Sequence, residues 1–185
     1  MTLPPPLSEQ TRRDLLSLAR GSIATALRNE PAPRLGSDRA EAFGESRAIF
    51  VTLEKAGELR GCIGTLSPDG DLARTVPAFA RKAAFEDPRF PPLTAPELPG
   101  LHIEISVLTA PQAVEDTQEI TVGRDGLILE CRGRRGLLLP QVAPDWGFDR
   151  DQFLDAVCQK AGLPKTAWRD PDARLWIFQA EVFGE

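Results

Sequence analysis

The apolar and polar positions along the chain predict a short series of elements. Leu15, Leu18, Ala19, Ile23, Ala26 and Leu27 recur at three- and four-residue spacing, with Arg12, Arg13, Arg20 and Arg28 on other faces. That period predicts an amphipathic helix over 8–29, ended by Pro31 and Pro33. A polar loop then runs to about Ser46. From Ala48 the period drops to two. Ile49, Val51 and Leu53 fall on one side of a strand, and Phe50, Thr52 and Glu54 on the other. Ala56-Gly57-Glu58 turns the chain into a second alternating run over 59–66. A two-residue turn would put Val51 and Cys62 on the same face. A three-residue turn with Gly57 left-handed matches apolar with apolar, and places Arg60 and Cys62 opposite the side of Val51 and Leu53. The second register is preferred.

Leu72, Val76, Phe79, Ala80 and Ala83 predict a helix over 71–86, which Pro77 should bend or delay. Asp87 precedes a proline and so avoids helical backbone, which makes 87–93 a stiff extended loop. Thr94 and Glu97 form a capping box for a very short helix, stopped by Pro99-Gly100. Residues 101–108 are the clearest strand, with Leu101, Ile103, Ile105 and Val107 on one side and His102, Glu104, Ser106 and Leu108 on the other. After Pro111 the pattern shortens. It predicts a strand over 127–131, a turn over 132–135 and a strand over 136–139. Asp149 caps a helix with Phe153, Leu154, Val157 and Ala161 inward, closed by Gly162. A last strand covers 174–183.

Hairpins without regular βαβ alternation predict an α+β fold. The expected organisation is a single domain, 1–185, of two lobes. The larger is an antiparallel sheet with helices that holds both termini, 1–110 with 172–185. The smaller is an inserted α+β lobe, 111–171, after which the closing strand returns to the larger sheet.

Composition narrows the function classes. The 185 residues are 42% hydrophobic and 26% charged, which suits a globular chain with its own core. No apolar run reaches the roughly 18–20 residues of a membrane span. No membrane partner is expected, and the start, Met-Thr-Leu-Pro-Pro-Pro, lacks the basic-then-apolar pattern of a leader, so no signal peptide is expected either. A net charge of -5 disfavours a nucleic-acid partner held through phosphates. Cys62, Cys131 and Cys158 form no CxxC pair and read as reduced thiols of a cytoplasmic protein. His102 is the one histidine, so a metal site built on several His ligands is excluded and no metal is assigned. No phosphate loop, dinucleotide fingerprint, nucleophile elbow or zinc-protease helix is present.

Leu59-Arg60-Gly61-Cys62-Ile63-Gly64 is the segment where chemistry concentrates. Glycines inside a strand mark a bulge or a close approach by another group. Arg60 lies two residues before Cys62, and an adjacent guanidinium favours a thiolate. The competing reading is a small hydrophobe packed in a core. Glu104, flanked by His102 and Ser106 on one strand face, can join Thr52, Glu54, Arg60 and Cys62 on a shared polar face, either wet or covered by a second lobe. Glu86, Asp87 and Arg89 bring two carboxylates beside a cation. That cluster favours a structural role, with Arg89 bridging to a nearby acid and pinning a rigid loop.

Leu59-Arg60-Gly61-Cys62-Ile63-Gly64 resembles the signature of the AMMECR family. Further segments resemble it in the same order: Asp87-Pro88-Arg89-Phe90-Pro91-Pro92-Leu93, Glu104-Ile105-Ser106-Val107-Leu108, Gly123-Arg124-Asp125-Gly126-Leu127, Gly136-Leu137-Leu138-Leu139-Pro140-Gln141 and Lys160-Ala161-Gly162-Leu163. The pattern also resembles the bacterial-type AmmeMemoRadiSam system protein A group. The resemblance implies a larger α+β lobe with both termini and a smaller α+β lobe. It also implies that the signature strand, through Arg60, Gly61, Cys62 and Gly64, faces an inter-lobe cleft. It implies association with a Memo-like protein and a radical SAM protein, and names neither reaction nor cofactor. Two function classes stay open. The favoured one is a binding module for a protein or small ligand held in that cleft. The other is an enzyme or covalent carrier with Cys62 as nucleophile or redox centre, Arg60 activating it and Glu104 as acid–base group. The lack of a histidine base near Cys62 in sequence favours binding.

Overall fold

Two runs of period-two sequence become two antiparallel four-stranded sheets in the computed structural model, which describes residues 6–33, 43 and 46–185. In chain order its main elements are α1 (Glu9–Leu27), β1 (Ile49–Lys55), β2 (Glu58–Thr65), α2 (Leu72–Phe85), β3 (Leu101–Leu108), β4 (Gln112–Val114), β5 (Gly126–Cys131), β6 (Arg134–Leu138), α3 (Val142–Trp146), α4 (Arg150–Lys160), β7 (Arg174–Phe178) and β8 (Ala180–Gly184). A 3-10 turn, Ala95–Gly100, precedes β3. The first sheet has the order β2-β1-β3-β8 and the second β4-β7-β5-β6. The polar loop expected up to about Ser46 falls mostly outside the described residues.

The chain divides into two compact units, Met1–Val107 with Glu181–Glu185, and Leu108–Ala180. The first has α1 and α2 packed together, with α2 also against β1 and β2. Its core joins Leu15 and Ile23 of α1 to Leu72, Val76 and Ala80 of α2 and to Ile49, Val51, Leu53, Ile103 and Ile105 of the sheet. Each large side chain buried there contributes about 1.5–3 kcal/mol. Ser8 caps α1 by accepting the Thr11 N–H at 3.1 Å, and Asp71 caps α2 by accepting the Arg74 N–H at 2.9 Å. Pro77 does not delay α2, which starts at Leu72 and runs through it. Its carbonyl accepts the buried Ser22 hydroxyl at 2.8 Å, which ties α2 to α1.

The second unit packs α4 on its own sheet. Phe153, Leu154, Val157 and Cys158 meet Leu127, Leu129 and Leu175. Asp149 and Gln152 form a reciprocal capping box at the start of α4, and Gly162 takes a left-handed φ of 70° after its end.

One expected element is corrected. The single strand read over 174–183 is two strands in two sheets. β7 pairs with β4 and β5, so this part of the range 172–185 lies in the second sheet, and only β8 joins the first. The change happens at Gln179. Its carbonyl accepts the Thr109 N–H at 2.9 Å, and its own N–H donates to the Thr109 hydroxyl at 2.8 Å. A hydroxyl in place of a main-chain carbonyl breaks the ladder there, and periodicity alone carries no sign of it.

Candidate functional site

The hairpin β1–β2 decides which way Cys62 points. Its turn has two residues, Ala56 and Gly57, with φ values of 53° and 81°, between paired Lys55 and Glu58. Positive φ at both positions is the tight hairpin geometry whose twist matches the strands. The three-residue turn expected from the sequence is therefore replaced. The phase is corrected instead by a bulge. Glu54 pairs with Leu59 and Leu53 with Gly61, which leaves Arg60 without a partner on β1. Beyond it Val51 meets Ile63 and Thr52 meets Cys62. Cys62 thus lies on the face opposite Val51 and Leu53, as the apolar pattern required.

Thr52 also pairs with Glu104 of β3, so Cys62, Thr52 and Glu104 form one row across three strands. The Thr52 hydroxyl donates to the Cys62 sulfur at 3.4 Å. The next row pairs Glu54 with His102. Along β3 this face is exposed at His102, half-buried at Glu104 and closed at Ser106, which is 1% exposed. Burial pushes the Glu104 carboxyl up, the charge of Glu54 adds to that, and His102 partly offsets it.

β2 is an edge strand, and at Cys62 its outer side is occupied by side chains. Asp87 Oδ2 accepts the Cys62 N–H at 2.8 Å, and Arg89 Nη2 donates to the Cys62 carbonyl at 3.2 Å. Asp87 in turn holds Arg89 through Nη2 at 2.7 Å, Nε at 3.0 Å and the main-chain N–H at 3.1 Å. The Asp87 side chain is 3% exposed and that of Arg89 53%. The Arg89 guanidinium, aided by the Cys62 and Arg89 N–H groups, outweighs burial and holds the Asp87 carboxyl far below the usual range. Arg89 is held above its ordinary value by Asp87 first, against burial.

The other signature residues have partners of their own. Arg60 runs to Glu97 of the 3-10 turn, with Nε at 2.9 Å and Nη2 at 3.3 Å. Arg60 and the Thr94 N–H and hydroxyl hold the Glu97 carboxyl far below its usual range. Arg60 Nη1 is buried and has no hydrogen-bond partner among the described residues. Gly61 faces the core, where a Cβ would fall on the Ala83 carbonyl of α2. At Gly64 a Cβ would fall on the Phe50 ring and the Ile49 carbonyl. Both glycines are thus filled by close approach of the protein's own groups.

The structure therefore places Cys62 and Glu104 on one row, two strands apart with Thr52 between them, sends Arg60 to Glu97, and turns Gly61 inward. Cys62 is part-exposed, whereas Cys131 and Cys158 are buried, and burial pushes the Cys158 thiol up. Sequence reasoning read Arg89 as bridging an acid and pinning a loop. It missed that the same pair grips the main chain of Cys62. The available signal was two charged residues locked beside Pro88, close enough to preorganise each other. Among the described residues no group of three or more His, Cys, Asp and Glu side chains is placed to hold a metal, and no helix is long and apolar enough to cross a membrane.

Such a chain is an α+β protein of two units whose most distinctive residues sit on a clamped edge hairpin. A family model described as AMMECR1 matches residues 16–183, and the chain belongs to that family. It is 45% identical over 186 residues to a protein of Methanothermobacter thermautotrophicus, covering 97% of each chain. It is 41% identical over 181 residues to a protein of Thermococcus kodakarensis, covering 92% of this chain and 88% of that one. The crystal structure of the uncharacterized protein PH0010 from Pyrococcus horikoshii superposes with a TM-score of 0.85 at 40% identity, covering 92% of this chain and 89% of that one.

Proposed function

We propose that this AMMECR1-family protein is a cytoplasmic binding module that holds a protein or small ligand on the polar sheet face around Cys62. The partners proposed are a Memo-like protein and a radical SAM protein. One observation carries this reading: Cys62 is part-exposed on a face outside the apolar core, while its main-chain N–H and C=O are both held along the outer edge of β2. A side chain on a backbone held that firmly, and standing outside the core cluster, suits recognition. The histidine of this face pairs with Glu54 on the next row and not with Cys62. A second reading, an enzyme or covalent carrier with Cys62 as nucleophile and Glu104 as acid–base group, is supported by the raised Glu104 carboxyl.

Mass-resolved alkylation tests the common ground of both readings. Cys62 should react faster than buried Cys131 and Cys158, and equal rates at all three would remove Cys62 from any accessible site. Titration of the purified Memo-like and radical SAM proteins then separates the classes. For a binding module, a bulky maleimide on Cys62 lowers partner affinity about tenfold or more, equivalent to about 1.4 kcal/mol, while Cys62→Ser keeps most of it. Unchanged affinity after full labelling would rule out binding of these partners at this face.

A further inference from the structure

We infer that Asp87 and Arg89 are the positioning pair of the Cys62 site, with Arg89 in the place expected of Arg60. The inference rests on reading Cys62 as a site residue. An edge strand presents unpaired N–H and C=O groups to whatever comes next. At Cys62 a carboxylate takes the N–H and a guanidinium takes the C=O, so no strand is needed to satisfy either. Loop pinning alone does not require a grip on the main chain of a strand. Asp125 and Arg124 of the second unit are also a buried acid with a half-exposed cation, and there Asp125 accepts the Thr121 N–H of its own turn, at 2.8 Å. Asp87 instead spans 25 residues to β2.

The choice of cation follows from geometry. Arg60 is the residue displaced by the bulge, and its fork is spent on Glu97. Arg89 lies against the Cys62 carbonyl, half in water. Asp87 neutralises part of its charge but orients the guanidinium, with three donors of one residue on one carboxylate. The pair therefore fixes the height of Cys62 on the strand edge and sets a cation at its main-chain carbonyl.

The test uses the full chain with Arg89→Met, Arg89→Lys, Arg60→Met, Asp87→Asn and Arg124→Met. Two readouts are taken: the pH profile of Cys62 alkylation, and hydrogen exchange of the Cys62 amide. Arg89→Met should slow Cys62 alkylation at pH 7 about threefold or more and move its rise to higher pH, because a nearby cation favours the thiolate. Arg89→Lys should recover most of that rate. Arg60→Met should move the profile less, and Arg124→Met, in the second unit, not at all. Asp87→Asn should speed exchange of the Cys62 amide. An Arg60→Met shift as large as that of Arg89→Met overturns the inference, as does an unchanged profile in Arg89→Met. If the wild-type thiol proves inert, the site reading fails. Amide exchange still decides the positioning, which is overturned if Asp87→Asn leaves exchange at Cys62 unchanged.

Discussion

The hairpins β1–β2 and β5–β6 are built alike up to one residue. Each turns on two residues of positive φ, Ala56-Gly57 and Arg132-Gly133. In each the second strand is the edge of its sheet. Each second strand carries a glycine under a helix carbonyl, Gly61 beneath Ala83 of α2 and Gly136 beneath Val157 of α4. From there they part. β5–β6 pairs one to one from Leu127 and Leu138 to Cys131 and Arg134, and Cys131 is buried. β1–β2 takes an extra residue at Arg60, and its edge is clamped by Asp87 and Arg89. The glycine thus records helix approach wherever a hairpin lies close under a helix. The bulge and the clamp belong to the Cys62 hairpin, and they are what makes its cysteine a site candidate.

The buried acids repeat the lesson. Asp87 and Asp125 are 3% and 1% exposed, and each carries an arginine that is about half exposed. Arg89 dominates in lowering the Asp87 carboxyl. At Asp125 burial pushes upward most strongly, but Arg124, the Thr121 N–H and Gln179 together bring the carboxyl down. The two pairs are chemically alike and differ in the main chain they hold: Asp125 takes an N–H of its own turn, and Asp87 an N–H of the edge strand β2.

The largest expected effect tests the shared feature. Gly61→Ala and Gly136→Ala should each destabilise by about 2–3 kcal/mol, because each Cβ would displace helix backbone that cannot give way cheaply. Urea unfolding measures both. A neutral Gly61→Ala beside a costly Gly136→Ala would mean that the signature glycine is kept for a ligand and not for α2.

Asp87→Asn and Asp125→Asn come next, at about 1–3 kcal/mol each near neutral pH, since each leaves buried donors poorly matched. Both folded carboxyls lie below their unfolded value, so the folded state holds fewer protons than the unfolded one between the two. That stability is complete above about pH 4 and lost as pH falls. The gap between wild type and each variant, read from unfolding midpoints, should therefore narrow from pH 7 to pH 3. A gap of constant size would remove the charged carboxylate from the account.

The smallest effect concerns the turns. A non-glycine residue in left-handed backbone costs roughly 1 kcal/mol, so Ala56→Gly should raise the unfolding midpoint by a corresponding amount. Arg132→Gly should gain less, because Arg132 also pairs with Asp170. Equal gains at the two turns would show that the Arg132 pair contributes nothing.

Much of this protein is legible in single segments. The helix from Ser8, the eight residues of β3 and the capped start of α4 follow from local period and local caps, which act over three or four residues. The face of Cys62, and its company with Thr52, Glu54, His102 and Glu104, follow from keeping apolar residues on one side of a strand. The short elements β4 and α3 carry too few residues to show a period and were not anticipated.

Sequence by itself determined the α+β class, the buried face of each long element and the side of the sheet on which Cys62 lies, because hydrophobic burial reads a pattern repeated along one segment. Tertiary structure decided the bulge at Arg60, the passage of the chain between sheets at Gln179, and the grip of Asp87 and Arg89 on Cys62. Each of these depends on a partner far away in the chain: Glu97 for Arg60, Thr109 for Gln179, and the open edge of β2 for Asp87. A polar group must satisfy its hydrogen bonds wherever folding brings a match, and that match is written in no local period.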